Sequence, residues 1–181
     1  GEQETAAFVA KMSAAPEVDM TRFDGQPSLG PAQAAVTVAV VGDFQCNFCR
    51  ALANHVERLR EAAPERIRVI FVNAPIDGQC NPAITGMSHE DACWLAEAGE
   101  CAVEQGEFWA FHEWLYRRMP FAQVKKGVVE RRLEEIGLDP GRARECMSSG
   151  RSRAAVDADL ALCRDLGLTT TPSVVLNGHV K

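Results

Sequence analysis

Seven cysteines lie along the 181-residue chain, at positions 46, 49, 80, 93, 101, 146 and 163, and only Cys46 and Cys49 share the spacing Cys-x-x-Cys. Two sulfurs at that spacing suit disulfide exchange. A thiolate attacks a disulfide sulfur, a mixed disulfide forms, and the second thiol resolves it. The same pair is also half of a zinc site. A structural zinc needs two further ligands at compact spacing. No second Cys-x-x-Cys or Cys-x-x-His is present, and Cys93 and Cys101 stand eight apart in a helical pattern. Thiol chemistry is the favoured reading, with a metal-binding pair as its alternative. An odd cysteine count leaves at least one thiol unpaired in a monomer.

The elements around the pair decide what it can do. Residues 36–41, Val-Thr-Val-Ala-Val-Val, form a nearly continuous β-branched and apolar run that stops at Gly42-Asp43, the pattern of a strand buried on both faces. Residues 50–60 follow, with Leu52, Val56 and Leu59 at helical spacing and Pro64 just beyond. A second apolar run at 67–72 completes a strand-helix-strand unit long enough for a parallel crossover. Cys46 thus falls at a helix N-terminus, where free N–H groups and the macrodipole favour a thiolate. The expectation is an exposed nucleophile at Cys46 and a buried resolving thiol at Cys49, one turn on.

Upstream, residues 1–35 read as a lead-in. A short helix is predicted over 5–14, followed by an extended stretch through Pro16, Gly25, Pro27, Gly30 and Pro31 with no packed element. Downstream, 88–167 is helical with short breaks. Ser88 with Asp91 suggests an N-terminal cap, Trp94, Leu95, Ala98 and Cys101 form a stripe, and further helices are expected near Phe108–Leu115 spacing, over 124–136, after Asp139-Pro140, and over 152–166. The tryptophans read as packing between these helices. Residues 173–176 form a last short strand after Thr171-Pro172, and Asn177-Gly178 is a two-residue hairpin signal. The domain is expected to continue beyond residue 181.

Composition narrows the class. With 46% hydrophobic residues the chain can bury a core, and one domain with an insertion is expected. Nineteen basic against 25 acidic residues give a net charge of −6, which disfavours a general nucleic-acid or anionic-membrane surface. No apolar run reaches the roughly 20 residues that span a bilayer, and the first residues lack a secretory-signal pattern.

The stretch Gly42-Asp43-Phe44-Gln45-Cys46-Asn47-Phe48-Cys49, with Thr171-Pro172-Ser173 far downstream, resembles the DsbA-like branch of the thioredoxin superfamily. Cys80-Asn81-Pro82, Asp91-Ala92-Cys93 and the segment from Cys101 to His112 resemble the helical insertion of its bacterial members. Some of those are fused to or partnered with vitamin K epoxide reductase-like membrane proteins. The resemblance covers about residues 28–181. It implies an α/β thioredoxin-like fold in four parts: the lead-in 1–35, a first thioredoxin-like part 36–84, an all-helical insertion 85–165, and a second part from 166. It implies thiol-disulfide exchange on cysteine-containing proteins, with Cys46 and Cys49 catalytic and Thr171 and a cis Pro172 holding the substrate backbone. No cofactor is required. Oxidase is the implied direction, with reductase or isomerase as runner-up and a non-enzymatic binding module as rival. The implied setting is periplasmic or otherwise extracytoplasmic, with a recycling membrane partner, vitamin K epoxide reductase-like or DsbB-like.

In an oxidising setting the other cysteines should pair where geometry allows. Cys80 and Cys93, 13 apart across a turn-rich stretch, are expected to form a structural disulfide. Cys146 and Cys163 are not paired, and Cys101, Cys146 and Cys163 stay unassigned. His55, His89, His112 and His179 sit in no triad or metal spacing and are left out of the site, His89 having the best residual case. Two departures from the family stand out. Val40 occupies the position, six before Cys46, where many members carry an acid, so proton delivery to Cys49 falls to water, Glu57 or Asp43. The dipeptide Asn47-Phe48 lacks the histidine that stabilises a thiolate in strong oxidants. The reduction potential of the pair, measured against glutathione, should therefore lie below the roughly −120 mV of the strongest periplasmic oxidants; a value that high would overturn the expectation.

Overall fold

The structure, a computed structural model, describes residues 17–86 and 88–181. The helix predicted over 5–14 lies outside the described residues. Five strands form one mixed sheet in the order β1-β3-β2-β4-β5: β1 (Ser28–Leu29), β2 (Val36–Gly42), β3 (Ile67–Asn73), β4 (Ser173–Leu176) and β5 (His179–Val180). β2 and β3 are parallel, with Val38 opposite Val69 and Val40 opposite Phe71, and α1 (Asn47–Ala62) makes the crossover between them. Successive side chains on these strands point to opposite faces. Val40, Val69 and Phe71 enter a core shared with α1 and the helical insertion. Ala39, Val41, Ile70 and Val72 enter a second core with Phe23, Leu168 and Val175. Both faces are dry, which explains two apolar runs without alternation.

β4 returns antiparallel to β2, and β5 folds back on it. The turn between them places Asn177 at φ 45° and Gly178 at φ 87°, the pair of positive values a two-residue hairpin requires. The Asn177 side chain accepts from the Thr37 N–H at 2.7 Å and donates to the Ala35 carbonyl at 3.2 Å, so the turn is fixed to the start of β2.

The lead-in differs from its extended, unpacked expectation. Asp19 caps a 3-10 turn, Met20–Phe23, that drives Phe23 to 1% exposure in the second core. β1 then pairs antiparallel with β3. Val18 and Phe23 in that core, with Met20 packed against it, dock the segment.

Between β3 and β4 lies the helical insertion: α2 (Ala92–Glu104), α3 (Phe108–Glu113) continuing into a π-helical turn (Trp114–Arg118), α4 (Lys126–Val129), α5 (Pro140–Ser148) and α6 (Arg151–Asp165). The helix expected over 124–136 is split: α4 passes into a 3-10 stretch, Glu130–Ile136, which ends at Gly137 with φ 82°. Ser88 does not cap α2, which begins only at Ala92. The N-cap residue Asp91 accepts no capping bond; its carboxylate takes the Lys126 N–H at 3.1 Å and its own N–H goes to Gln45 at 3.0 Å. A long-range contact has displaced the local one. Asp139 does cap α5, accepting from the Gly141 and Arg142 amides, with Pro140 in the first turn.

Two disulfides brace this insertion. Cys80 is bonded to Cys93, joining the loop after β3 to α2, and Cys101 to Cys146, joining α2 to α5. The second pairing, between two residues that sequence left unassigned, closes a span of 45 residues. Cys46, Cys49 and Cys163 are free and buried. Trp114 is buried among the insertion helices and Trp94 and Trp109 pack against that core.

Two measurements check this framework. Alkylation of the denatured, unreduced chain with the Cys46–Cys49 pair open should modify three cysteines, and a chain with more than three would contradict the pairing. Replacing Cys101 and Cys146 by serine should cost about 4 kcal/mol of stability and replacing Cys80 and Cys93 about 3, because the first cross-link closes the longer loop.

Candidate active site

Cys46 is the N-cap of α1, held at φ −85° and ψ 118°, and its Sγ accepts the Cys49 N–H at 3.3 Å. A helix start leaves its first amides without intrahelical partners, and here a sulfur satisfies one of them. The Cys46 N–H itself donates to the Asp43 carbonyl at 3.0 Å, which closes the turn between β2 and α1. Cys46 is only 4% exposed and Cys49 1%, so the nucleophile expected at the surface is covered. What the motif presents to solvent is Phe48, at 75% exposure.

The two thiols are pushed apart electrostatically. The hydrogen bond from the Cys49 thiol, with those from the Cys49 and Phe48 amides, outweighs burial and brings the Cys46 pKa down to about 6. Cys49, whose proton that bond engages and whose sulfur is buried, is held far above its ordinary value. Near neutral pH the reduced site is one thiolate and one thiol.

The loop before β4 closes the site from the other side. The Thr171-Pro172 peptide is cis, and the Thr171 carbonyl oxygen lies 3.9 Å from the Cys46 sulfur. Ser173 Oγ donates to the Thr170 carbonyl at 2.5 Å, fixing the loop where the strand begins. Cys46, Cys49, Thr171 and Pro172 are thus brought together, whereas Cys80 and Cys93 form a brace in the loop and helix beyond.

Beneath Cys46, the buried Asp43 carboxylate accepts three donors. Its Oδ1 takes the Gln45 N–H at 2.6 Å, and its Oδ2 takes the Ile76 N–H at 2.6 Å and the His89 ring at 2.9 Å. His89, left out by the sequence reading, belongs to this site. Its hydrogen bond to Asp43 raises its pKa against the effect of burial, and the negative charges of Asp43 and Cys46 add to the rise. No spacing rule could connect residues 46 positions apart; the only local hint was a lone histidine just ahead of α2. Gln45 reaches further, donating to the Val124 carbonyl at 2.8 Å while accepting from Asp91. Tyr116 donates its hydroxyl to the Asp43 carbonyl at 2.9 Å. Of the two carboxylates considered for proton delivery, Asp43 is at the site and Glu57 is not. Glu57 lies about 12 Å along the helix from Cys49, bound by Arg60 at 2.8 Å and by Arg117. His112 is enclosed by aromatic rings, and burial drops its pKa to about 3; His55 is on the surface beside Arg58 and His179 is in β5.

Comparison with known proteins places this geometry. A family model described as thioredoxin matches residues 23–181. The chain is 31% identical over 153 residues to the Na(+)/H(+) antiporter NhaA 3 of Salinispora tropica, covering 83% of this chain but 21% of that protein. It is 25% identical over 174 residues to a probable disulfide bond formation protein D of Bacillus anthracis, covering 90% of this chain and 74% of the relative. A thioredoxin-like oxidoreductase from Silicibacter pomeroyi DSS-3 superposes with a TM-score of 0.71 at 25% identity, over 90% of this chain and 88% of the other. The chain spans about a fifth of the antiporters it matches.

The rate of Cys46 alkylation in the reduced protein should rise with pH through a midpoint near 6 and then level off, since only the thiolate reacts. Cys49→Ala should move that midpoint upward, because it removes the largest contribution to the low value. The folded value lies below the reference of 9.0, so the thiolate's contribution to the reduced fold is complete above about pH 9 and is lost as pH falls through 6.

Proposed function

We propose that the chain, which belongs to the thioredoxin family, is a thiol:disulfide oxidoreductase that introduces disulfides into cysteine-containing proteins. The observation that carries this reading is the Cys46 sulfur: capping a helix, paired with the Cys49 thiol and lying 3.9 Å from the Thr171 carbonyl. In the oxidised enzyme Cys46 and Cys49 share a disulfide. A substrate thiolate attacks the Cys46 sulfur, the Cys46–Cys49 bond breaks, and Cys49 leaves and takes up a proton. A second substrate thiolate then attacks the substrate sulfur of the mixed disulfide. The substrate disulfide forms and Cys46 departs as a thiolate, with two electrons now held by the enzyme pair.

Cys46 is the better leaving group of the two because its pKa is about 6. A pKa of about 6 against 9.0 also stabilises the reduced pair roughly tenfold at neutral pH, about 30 mV toward an oxidant. That supports the oxidising direction, as does the name of the Bacillus relative. Asp43 and His89 hold the loop beneath the sulfur and supply the polar path for protons that Val40 cannot. Thr171 and Pro172 present the backbone against which a substrate strand lies.

Two buried disulfides beside a redox pair fit an oxidising, extracytoplasmic compartment. No helix among the described residues is long and apolar enough to cross a membrane. Reoxidation of the pair would then come from a membrane partner, vitamin K epoxide reductase-like or DsbB-like, which accepts the two electrons. The antiporter relatives support a membrane setting, since there a matching segment is part of a transport protein.

Cys46→Ser should abolish peptide oxidation with glutathione disulfide as oxidant, and Cys49→Ser, given an already oxidised peptide, should accumulate a Cys46–peptide mixed disulfide visible on non-reducing gels, because no second enzyme thiol is left to resolve it. Unchanged turnover in Cys46→Ser would overturn the assignment.

A further inference from the structure

Where α1 meets β1 and α3 there is an open cavity of about 300 Å³ that takes no part in the exchange chemistry. It is lined by none of Cys46, Cys49, Thr171 and Pro172, and its first lining residue on α1 is Ala53, about 10 Å along the helix from Cys46. The space exists because two small residues meet there, Ala53 of α1 and Ala110 of α3. A leucine at either place would fill part of it. Leu29 of β1 and the rings of Trp109, His112 and Tyr116 complete the walls.

His112 is the polar group inside. Its ring centroid lies 5.1 Å from that of Trp109 and 4.8 Å from that of Tyr116, and Phe44, Phe71 and Phe108 pack around the same imidazole. Among the described residues neither of its ring nitrogens has a hydrogen-bond partner, although the side chain lines the cavity. A polar group withdrawn from water without a partner is costly, and an occupant that bonds to it removes that cost. Burial brings the His112 pKa down to about 3, so the ring is neutral and offers one donor and one acceptor. A hydroxyl group can meet either.

The mouth carries charge, but in pairs. Arg60 binds Glu57 at 2.8 Å, Arg117 binds Glu61 at 2.8 Å, and Arg118 binds Glu113 at 2.9 Å. A charged ligand would have to displace one of these partners, whereas a neutral one leaves them in place. Aromatic walls with a single unsatisfied polar group are the composition of a small-molecule site.

We infer that this cavity binds a small, neutral aromatic molecule that carries a hydroxyl group. The ring lies against Trp109 and Tyr116 between the two alanines, and the hydroxyl bonds to His112. A cavity of about 150 Å³ holds benzene, so twice that volume admits a fused two-ring molecule. Recognition of this kind needs neither sulfur of the redox pair and stands apart from the exchange reading.

The probes are beta-naphthol and naphthalene, alike in shape but for the hydroxyl, with binding to the oxidised protein followed by equilibrium dialysis at neutral pH. The naphthol should occupy one site and bind about 3- to 10-fold more tightly than naphthalene, the margin of one hydrogen bond. His112→Phe should bring that ratio close to one while naphthalene still binds. Ala110→Phe, which sets a ring in the cavity, should weaken both probes about 10-fold or more, and Ala53→Leu should weaken both from the side of α1. Nuclear Overhauser contacts from the bound naphthol to the ring protons of His112 and Tyr116 locate it in the unsubstituted protein. No binding up to the solubility of the naphthol would overturn the site. So would contacts to another part of the surface in place of these rings, or a preference for the naphthol unmoved in folded His112→Phe.

Discussion

The Asp43 carboxylate is the constraint on which the rest of the site depends. Buried at the end of β2, it takes backbone amides from its own loop and from the loop after β3, and a ring nitrogen from the segment ahead of α2. A buried anion is expensive unless its oxygens are satisfied. Here the satisfaction has a direction: it draws three separate segments toward the turn that presents Cys46. Tyr116 fastens the same residue from a fourth segment through its carbonyl. The sulfur is positioned because the acid beneath it must be.

Packing follows from the same place. The ring of Phe44, next to Asp43, stacks on Phe71 of β3 and meets Phe111 and Tyr116 edge-on or tilted, so the insertion is built onto the active-site loop rather than beside it. Arg50, one turn into α1, donates to the Met119 carbonyl, and Asn54 to that of Tyr116 at 3.3 Å. These contacts are polar bonds from the active-site helix to the end of the π-helical turn, where the last carbonyls have no donor within the helix. The insertion therefore acts as the back wall of α1, and the sheet as its floor.

Sequence reading succeeded where information is local. Apolar runs without alternation marked the two central strands, Asn177-Gly178 marked the hairpin, and Asp139-Pro140 marked a helix start, because each signal is read within a few residues. The spacing of Cys46 and Cys49 was legible on the same terms. It failed where the partner is remote. Asp91 looked like part of a local cap and is spent on Lys126 instead; the Cys101–Cys146 bond depends on how α2 crosses α5; and His89 acquires its place only when the segment ahead of α2 folds over Asp43. Burial of Cys46 was hidden for a similar reason, since the residues that cover it arrive from the far end of the chain. The lead-in, expected to be extended and to carry no packed element, docks through a 3-10 turn that sends Val18, Met20 and Phe23 to the second core.

The two disulfides of the insertion have all four of their cysteines buried. Burial does not set them apart from the redox pair, since Cys46 is itself only 4% exposed; placement does. The Cys46 and Cys49 sulfurs stand where β2 passes into α1, beside the Thr171 carbonyl, whereas the other two bonds tie α2 to the loop after β3 and to α5. Opening the first pair leaves every element attached to its neighbours, while opening either of the others would release one part of the insertion from another.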